Sequence, residues 1–144
     1  MIHLDTNYLI GLLVKGSPES GDVDAWLAAG QTLAASAIAW TEFLNGPTAP
    51  LEVSRAEAVL QSLIIPFGQK EAALAAELFN KTGRRRGSRF DCLIAATAII
   101  AQAEVATVNQ SDFKVFVPHD LKLAAVPPSP PQPPAASQVA PPTS

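Results

Sequence analysis

At 144 residues and 48% apolar content, the chain has the length of one domain and enough apolar mass for a real core, so it is not a small stapled scaffold. Its single cysteine, Cys92, excludes an internal disulfide, and the apolar stretches around Leu33 to Trp40 and Cys92 to Ala101 fall far short of the roughly 18–20 residues that cross a bilayer. A net charge of −3 argues against nucleic-acid binding by overall attraction, and Asp5 stands where a secretory leader needs positive charge, so a reducing cytoplasm is the expected location.

In chain order, Ile2-His3-Leu4 reads as a short buried strand and Asn7 to Lys15 as a helix stopped by Gly16. Asp22 to Ala29 makes a short helix ending at Gly30, and Thr32 to Ala35 suits a second strand. Ser36 then caps a helix running through Trp40, Glu42 and Phe43 to Gly46. Two amphipathic helices, Glu52 to Leu63 and Gln69 to Lys81, are separated by the strand-like Ile64-Ile65-Pro66-Phe67. Ser88 starts an apolar helix that ends near Ala103, Val105 to Val108 is another buried strand, and Phe113 to Val117 is read as one more. Residues 127–144 hold eight of the thirteen prolines and no charged or aromatic side chain, so they are expected to be a disordered or polyproline-like tail behind a folded unit at 1–126. Strands alternating with helices imply an α/β fold with a parallel sheet covered on both faces, whose ligands bind beyond the carboxyl ends of the strands.

Four carboxylates stand at the edges of apolar segments: Asp5, Glu42, Asp91 and Asp112. Brought together at one end of a sheet they would repel and raise each other's pKa, which points to a divalent cation. Each also has a plainer reading. Asp5 followed by Thr6 has the form of a helix N-cap, Glu42 suits a solvated helical position, and Ser88-Arg89-Phe90-Asp91 has capping-box spacing. Asp112 suits an ordinary turn. Asp91, Ala95 and Ala98 form a small-residue stripe that allows a helix to approach the sheet closely. Four of the ten basic residues, Arg84, Arg85, Arg86 and Arg89, lie just before Asp91, so a cationic patch adjoins the acids or forms a solvated loop. Cys92 lacks a cationic neighbour in the pattern and reads as structural, and His3 and His119 have no metal-ligand spacing.

Taken together, LDTN at 4–7, TEF at 41–43, FDCLIAATAI at 90–99 and TVNQSDF at 107–113 resemble the PIN-domain family, in particular the VapC-type toxins of toxin–antitoxin pairs. The resemblance covers residues 1 to about 126 and implies a three-layer α/β/α sandwich with a short central parallel sheet. Position by position, Asp5, Glu42, Asp91 and Asp112 match the acidic quartet, Asn109 the polar position before the last acid, and Thr6 and Asn7 the small polar residues after the first. Val108 departs from the pattern, in which a polar residue is frequent, and the Pro-rich tail is no part of it. The resemblance implies a Mg²⁺-dependent endoribonuclease, with Mn²⁺ as a substitute, whose Asp5 and Asp91 are primary ligands. Arg84, Arg85, Arg86 and Arg89 then become candidates for RNA backbone contacts. It further implies a small antitoxin partner and a homodimer; the competing reading is a PIN scaffold that binds protein or RNA without cutting.

Overall fold

A computed structural model describes residues 1–126; the segment 127–144, expected from its composition to be a disordered tail, lies outside the described residues. The chain starts with strand β1 (Ile2–Leu4), followed by helices α1 (Thr6–Gly11) and α2 (Pro18–Ala28). Strand β2 (Leu33–Ser36) leads into α3 (Ala37–Asn45) and α4 (Pro50–Leu60), then strand β3 (Ile64–Ile65) and α5 (Gln69–Lys81). Helix α6 (Arg89–Ile100), strand β4 (Glu104–Ala106), helix α7 (Gln110–Phe113), a 3-10 helix (Lys114–His119) and strand β5 (Lys122–Leu123) complete the order.

The five strands form one sheet in the order β3-β2-β1-β4-β5, and every pair is parallel. Successive residues of β1 and β2 point to opposite faces, and all of them are buried, so helices cover both faces of the sheet. This is the expected three-layer α/β/α arrangement. The register places Ile2 beside Leu33 and Glu104, and Leu4 beside Ala106. Trp26, Phe43, Phe113 and Phe116 are the largest side chains sealed in the core. Ala95, Ala96 and Ala98 of α6 are completely buried, so the small-residue stripe does face the interior. His3 is an oddity in this core: both ring nitrogens are buried without a hydrogen-bond partner among the described residues. Burial, helped by the N-terminal charge, pushes its pKa down to about 4 and keeps the ring neutral.

Several boundaries differ from the sequence reading, each for a local reason. Helix α1 ends at Gly11 rather than Lys15 because α2 passes close by: a Cβ on Gly11 would stand 2.6 Å from Cβ of Glu19. Ser17 joins the two helices, its Oγ donating to the Gly11 carbonyl over 2.6 Å and accepting from Ser20 N–H over 3.0 Å. Helix α2 therefore starts at Pro18, one turn before Asp22, with Ser17 as cap and proline at the first position. Helix α4 stops at Leu60 because Gln61 and Ser62 both turn left-handed. The strand expected at Phe113 to Val117 is helical instead. Phe113 and Phe116 meet edge-to-face at 6.0 Å, a spacing of three residues that a 3-10 turn brings to one side and a strand does not. Ser36 caps α3 as expected, accepting from Ala39 N–H over 3.0 Å.

Candidate active site

The carboxyl end of β1, the middle of α3, the first turn of α6 and the short α7 supply the four carboxylates. Asp5 follows β1 directly and is 5% exposed. Its Oδ1 accepts from Thr6 N–H over 2.8 Å, so the helix-capping reading holds at that oxygen. Its Oδ2 accepts from the Thr107 hydroxyl, also over 2.8 Å. Burial raises the Asp5 pKa, and these two hydrogen bonds oppose the rise. Glu42 is half-buried; burial and then the charge of Asp5 push its pKa up, while the Thr6 hydroxyl acts the other way. That hydroxyl is buried without a hydrogen bond of good geometry among the described residues.

Asp91 reports the gathering of the acids most clearly. Burial comes first, followed by the charges of Asp5, Asp112 and Glu42, and together they raise its pKa to about 6 against the opposing charge of Arg85. Carboxylates far apart in sequence thus share one electrostatic field. Ser88 makes no cap bond to α6, because its Oγ donates to the Arg85 carbonyl over 2.8 Å, so the capping-box reading of Asp91 fails. Asp112 lies exposed in α7, across a cleft of about 250 Å³ that it lines with Asp91, Ser88, Gly87, Arg85 and Arg86.

The cationic loop divides. Arg85 and Arg86 line the cleft, whereas the guanidinium groups of Arg84 and Arg89 sit over the Phe79 ring, at 5.7 and 5.4 Å from its centroid. Asn109 is exposed, and its N–H donates to the Thr107 hydroxyl over 3.1 Å. Asn7, in the first turn of α1, is half-buried and makes no side-chain hydrogen bond among the described residues. Cys92 is buried, with its pKa raised by burial, and lines an apolar hollow of about 380 Å³ with Phe79 and Arg89. A larger hollow, about 750 Å³ beside Ile99, Gln102 and Asp120, is lined by none of the four acids. Charge and hydrogen bonding, not size, locate the site.

Thr107 is the residue of this candidate site that sequence reading does not single out. It lies in TVNQSDF, yet only the register shows its role: Leu4 pairs with Ala106, so Asp5 and Thr107 leave adjacent strands side by side.

The donor set suits a hard divalent cation. All four groups offer carboxylate oxygen, and an unpartnered buried hydroxyl, Thr6 Oγ1, lies next to Asp5 and near Glu42. Among the described residues no group of three or more His, Cys, Asp or Glu side chains is arranged to enclose an ion by itself.

The PIN domain model matches residues 2–116. Among solved structures, a chain of the VapBC2 complex from Rickettsia felis, bound to a promoter DNA fragment, is 28% identical with a TM-score of 0.65, covering 86% of this chain and 98% of that one. A chain of a toxin–antitoxin complex from Klebsiella pneumoniae is 27% identical with a TM-score of 0.64, covering 78% of this chain and 90% of that one. A chain of FitAcB from Neisseria gonorrhoeae is 26% identical with a TM-score of 0.62, covering 85% and 96% respectively. No curated protein matches significantly by sequence. No helix among the described residues is long and apolar enough to cross a membrane. With the matched region spanning every element from β1 to the 3-10 helix, the chain belongs to the PIN domain family.

Proposed function

We propose that this chain is a Mg²⁺-dependent endoribonuclease and the toxin of a toxin–antitoxin pair, with Mn²⁺ able to replace Mg²⁺. The observation that carries the reading is the cleft that Asp91 and Asp112 line with Arg85 and Arg86, in the electrostatic field of Asp5 and Glu42, which with burial raises the Asp91 pKa. Like charges held this close are costly without a cation and useful with one. Asp5 and Asp91 would be the primary ligands, and Glu42 and Asp112 would bind a second ion or orient water. When bound, the cation lowers the pKa of an attacking water and neutralises charge on the scissile phosphate.

The chain's own residues do the rest. Thr107 and the Thr6 N–H hold Asp5 in a fixed rotamer, so its oxygens are in place before substrate arrives. Arg85 and Arg86 meet RNA phosphates at the cleft, offsetting repulsion from an acidic protein. Thr6, Asn7 and Asn109 stay candidates for substrate contact at the strand ends. The structural neighbours from toxin–antitoxin complexes support a small antitoxin as partner. In this proposal a segment of it covers the acidic cleft, and the toxin itself is a homodimer.

A PIN scaffold that binds without cutting is the alternative. The retained quartet favours the enzyme, since four neighbouring carboxylates serve no purpose in a passive surface. Incubating purified protein with total RNA and Mg²⁺, then mapping the new ends, separates the two. Discrete cleavage sites that vanish with chelator support the nuclease, and intact RNA in a protein that binds it supports the scaffold.

A further inference from the structure

Phe90 stands apart from the other phenylalanines. Phe43, Phe113 and Phe116 are fully buried and Phe67 and Phe79 pack against the core, whereas Phe90 is 58% exposed. A ring left in water forgoes most of the free energy its burial would supply. Its neighbours along the first turn of α6 are all committed: Arg89 to the Phe79 ring, Asp91 to the acidic cleft, Cys92 to the interior. Among the described residues the two cation–π contacts of this loop both fall on Phe79, and none covers Phe90. An uncovered aromatic ring thus stands one residue from Asp91, on a segment whose Arg85 and Arg86 line the cleft.

We infer that Phe90 is a stacking platform for an unpaired nucleobase of a single-stranded nucleic acid whose phosphates meet Arg85 and Arg86. The inference rests on the proposed ribonuclease reading and adds to it a base-contacting subsite. Single strands are held by this pairing of cationic groups for the backbone with aromatic faces for the bases, and every base has a π-face to offer. A protein partner would also cover the ring. Arg85 and Arg86, five and four residues before it in the chain and lining the neighbouring cleft, favour a polyanion, because a peptide would have to be acidic and aromatic-seeking at once.

The test uses the full chain and its Phe90→Ala and Phe90→Trp variants, with fluorescein-labelled oligo(A) and oligo(U) and chelator present to prevent cleavage. Purines stack more strongly, so the wild type should bind oligo(A) more tightly than oligo(U). Phe90→Ala should weaken oligo(A) binding about tenfold, erase the preference and leave the salt dependence unchanged, since no phosphate contact is lost. Phe90→Trp should restore affinity, and its added indole fluorescence should be quenched by oligo(A). Unchanged oligo(A) affinity in Phe90→Ala, with weakened binding in an Arg85→Gln, Arg86→Gln variant, would overturn the platform and spare the nuclease reading. Failure of the wild type to bind either oligonucleotide would overturn the platform, while Mg²⁺-dependent cleavage of RNA by the same preparation, present or absent, would decide the nuclease reading separately. If Phe90→Ala spares RNA but weakens inhibition by an antitoxin, the ring docks protein and the inference is wrong.

Discussion

The Thr107 hydroxyl donates to Asp5 Oδ2 over 2.8 Å while accepting the Asn109 N–H over 3.1 Å. With one lone pair engaged by that N–H, the hydroxyl proton is directed at the carboxylate, which couples the ends of β1 and β4. Thr107→Val keeps the shape and removes the hydrogen bond. It should cost about 1.5–3 kcal/mol of stability, the range for a bond to a charged group, and slow RNA cleavage. Thr107→Ser should recover most of both. Denaturant titration and single-turnover cleavage measure the two effects, and a loss in Thr107→Ser with none in Thr107→Val, which keeps the methyl, would assign the role to the methyl group instead.

Asp91→Asn should raise the melting temperature of the metal-free protein by a few degrees and abolish cleavage. The sign follows from the raised pKa. A carboxyl that moves from 3.8 to about 6 on folding binds its proton more tightly in the native state. It therefore weakens the fold as pH rises through that window and stays unfavourable above it. Asp5 and Glu42, also raised, act with the same sign. In chelator the melting temperature of Asp91→Asn should gain on that of the wild type as pH rises from 4 to 7, a difference in which the opposing contribution of the neutral, buried His3 cancels. A difference that stays constant with pH would mean that the Asp91 carboxylate is not crowded.

The four arginines should separate into two pairs. Replacing Arg85 and Arg86 with Gln should weaken RNA binding and reduce the salt slope by about 1.4, at about 0.7 for each contact with a single strand. Replacing Arg84 and Arg89, whose guanidinium groups lie over Phe79, should leave the slope alone and cost about 0.5–1 kcal/mol of stability per contact. Titrations at several salt concentrations distinguish the pairs.

Gly11→Ala should destabilise the fold by about 1–3 kcal/mol without touching the cleft. The added Cβ would stand 2.6 Å from Cβ and 2.7 Å from Cγ of Glu19, atoms too near the α2 backbone to swing aside. A melting curve unchanged from wild type would mean that α1 and α2 separate easily.

Much of this was legible before any coordinates. The alternation of strands and helices, the Ser36 cap and the span of α5 follow from periodicity and capping chemistry, which act locally. Asp5 and Asp91 are legible as candidates because each stands at an element boundary, whereas Glu42, in the middle of α3, stands out only through the TEF motif. Thr107 was not legible, because its partner lies 102 residues away and strand register is a tertiary property. The split among the arginines was hidden for a similar reason: Phe79 belongs to another helix. The segment from Phe113 to Val117 misled because a short apolar run fits both a strand and a 3-10 turn, and only the Phe113–Phe116 contact decides between them. Ser17-Pro18, by contrast, was a helix start visible in the sequence and passed over.

The most direct test of a metal-dependent nuclease at this quartet is cation binding measured alongside cleavage. Mn²⁺ titration by calorimetry, on wild type and on Asp5→Asn and Asp91→Asn, should show binding in the wild type that both variants lose, together with RNA cleavage that requires Mg²⁺ or Mn²⁺ and disappears in the same variants. Folded variants that still bind Mn²⁺ and still cut RNA would contradict the assignment of these carboxylates.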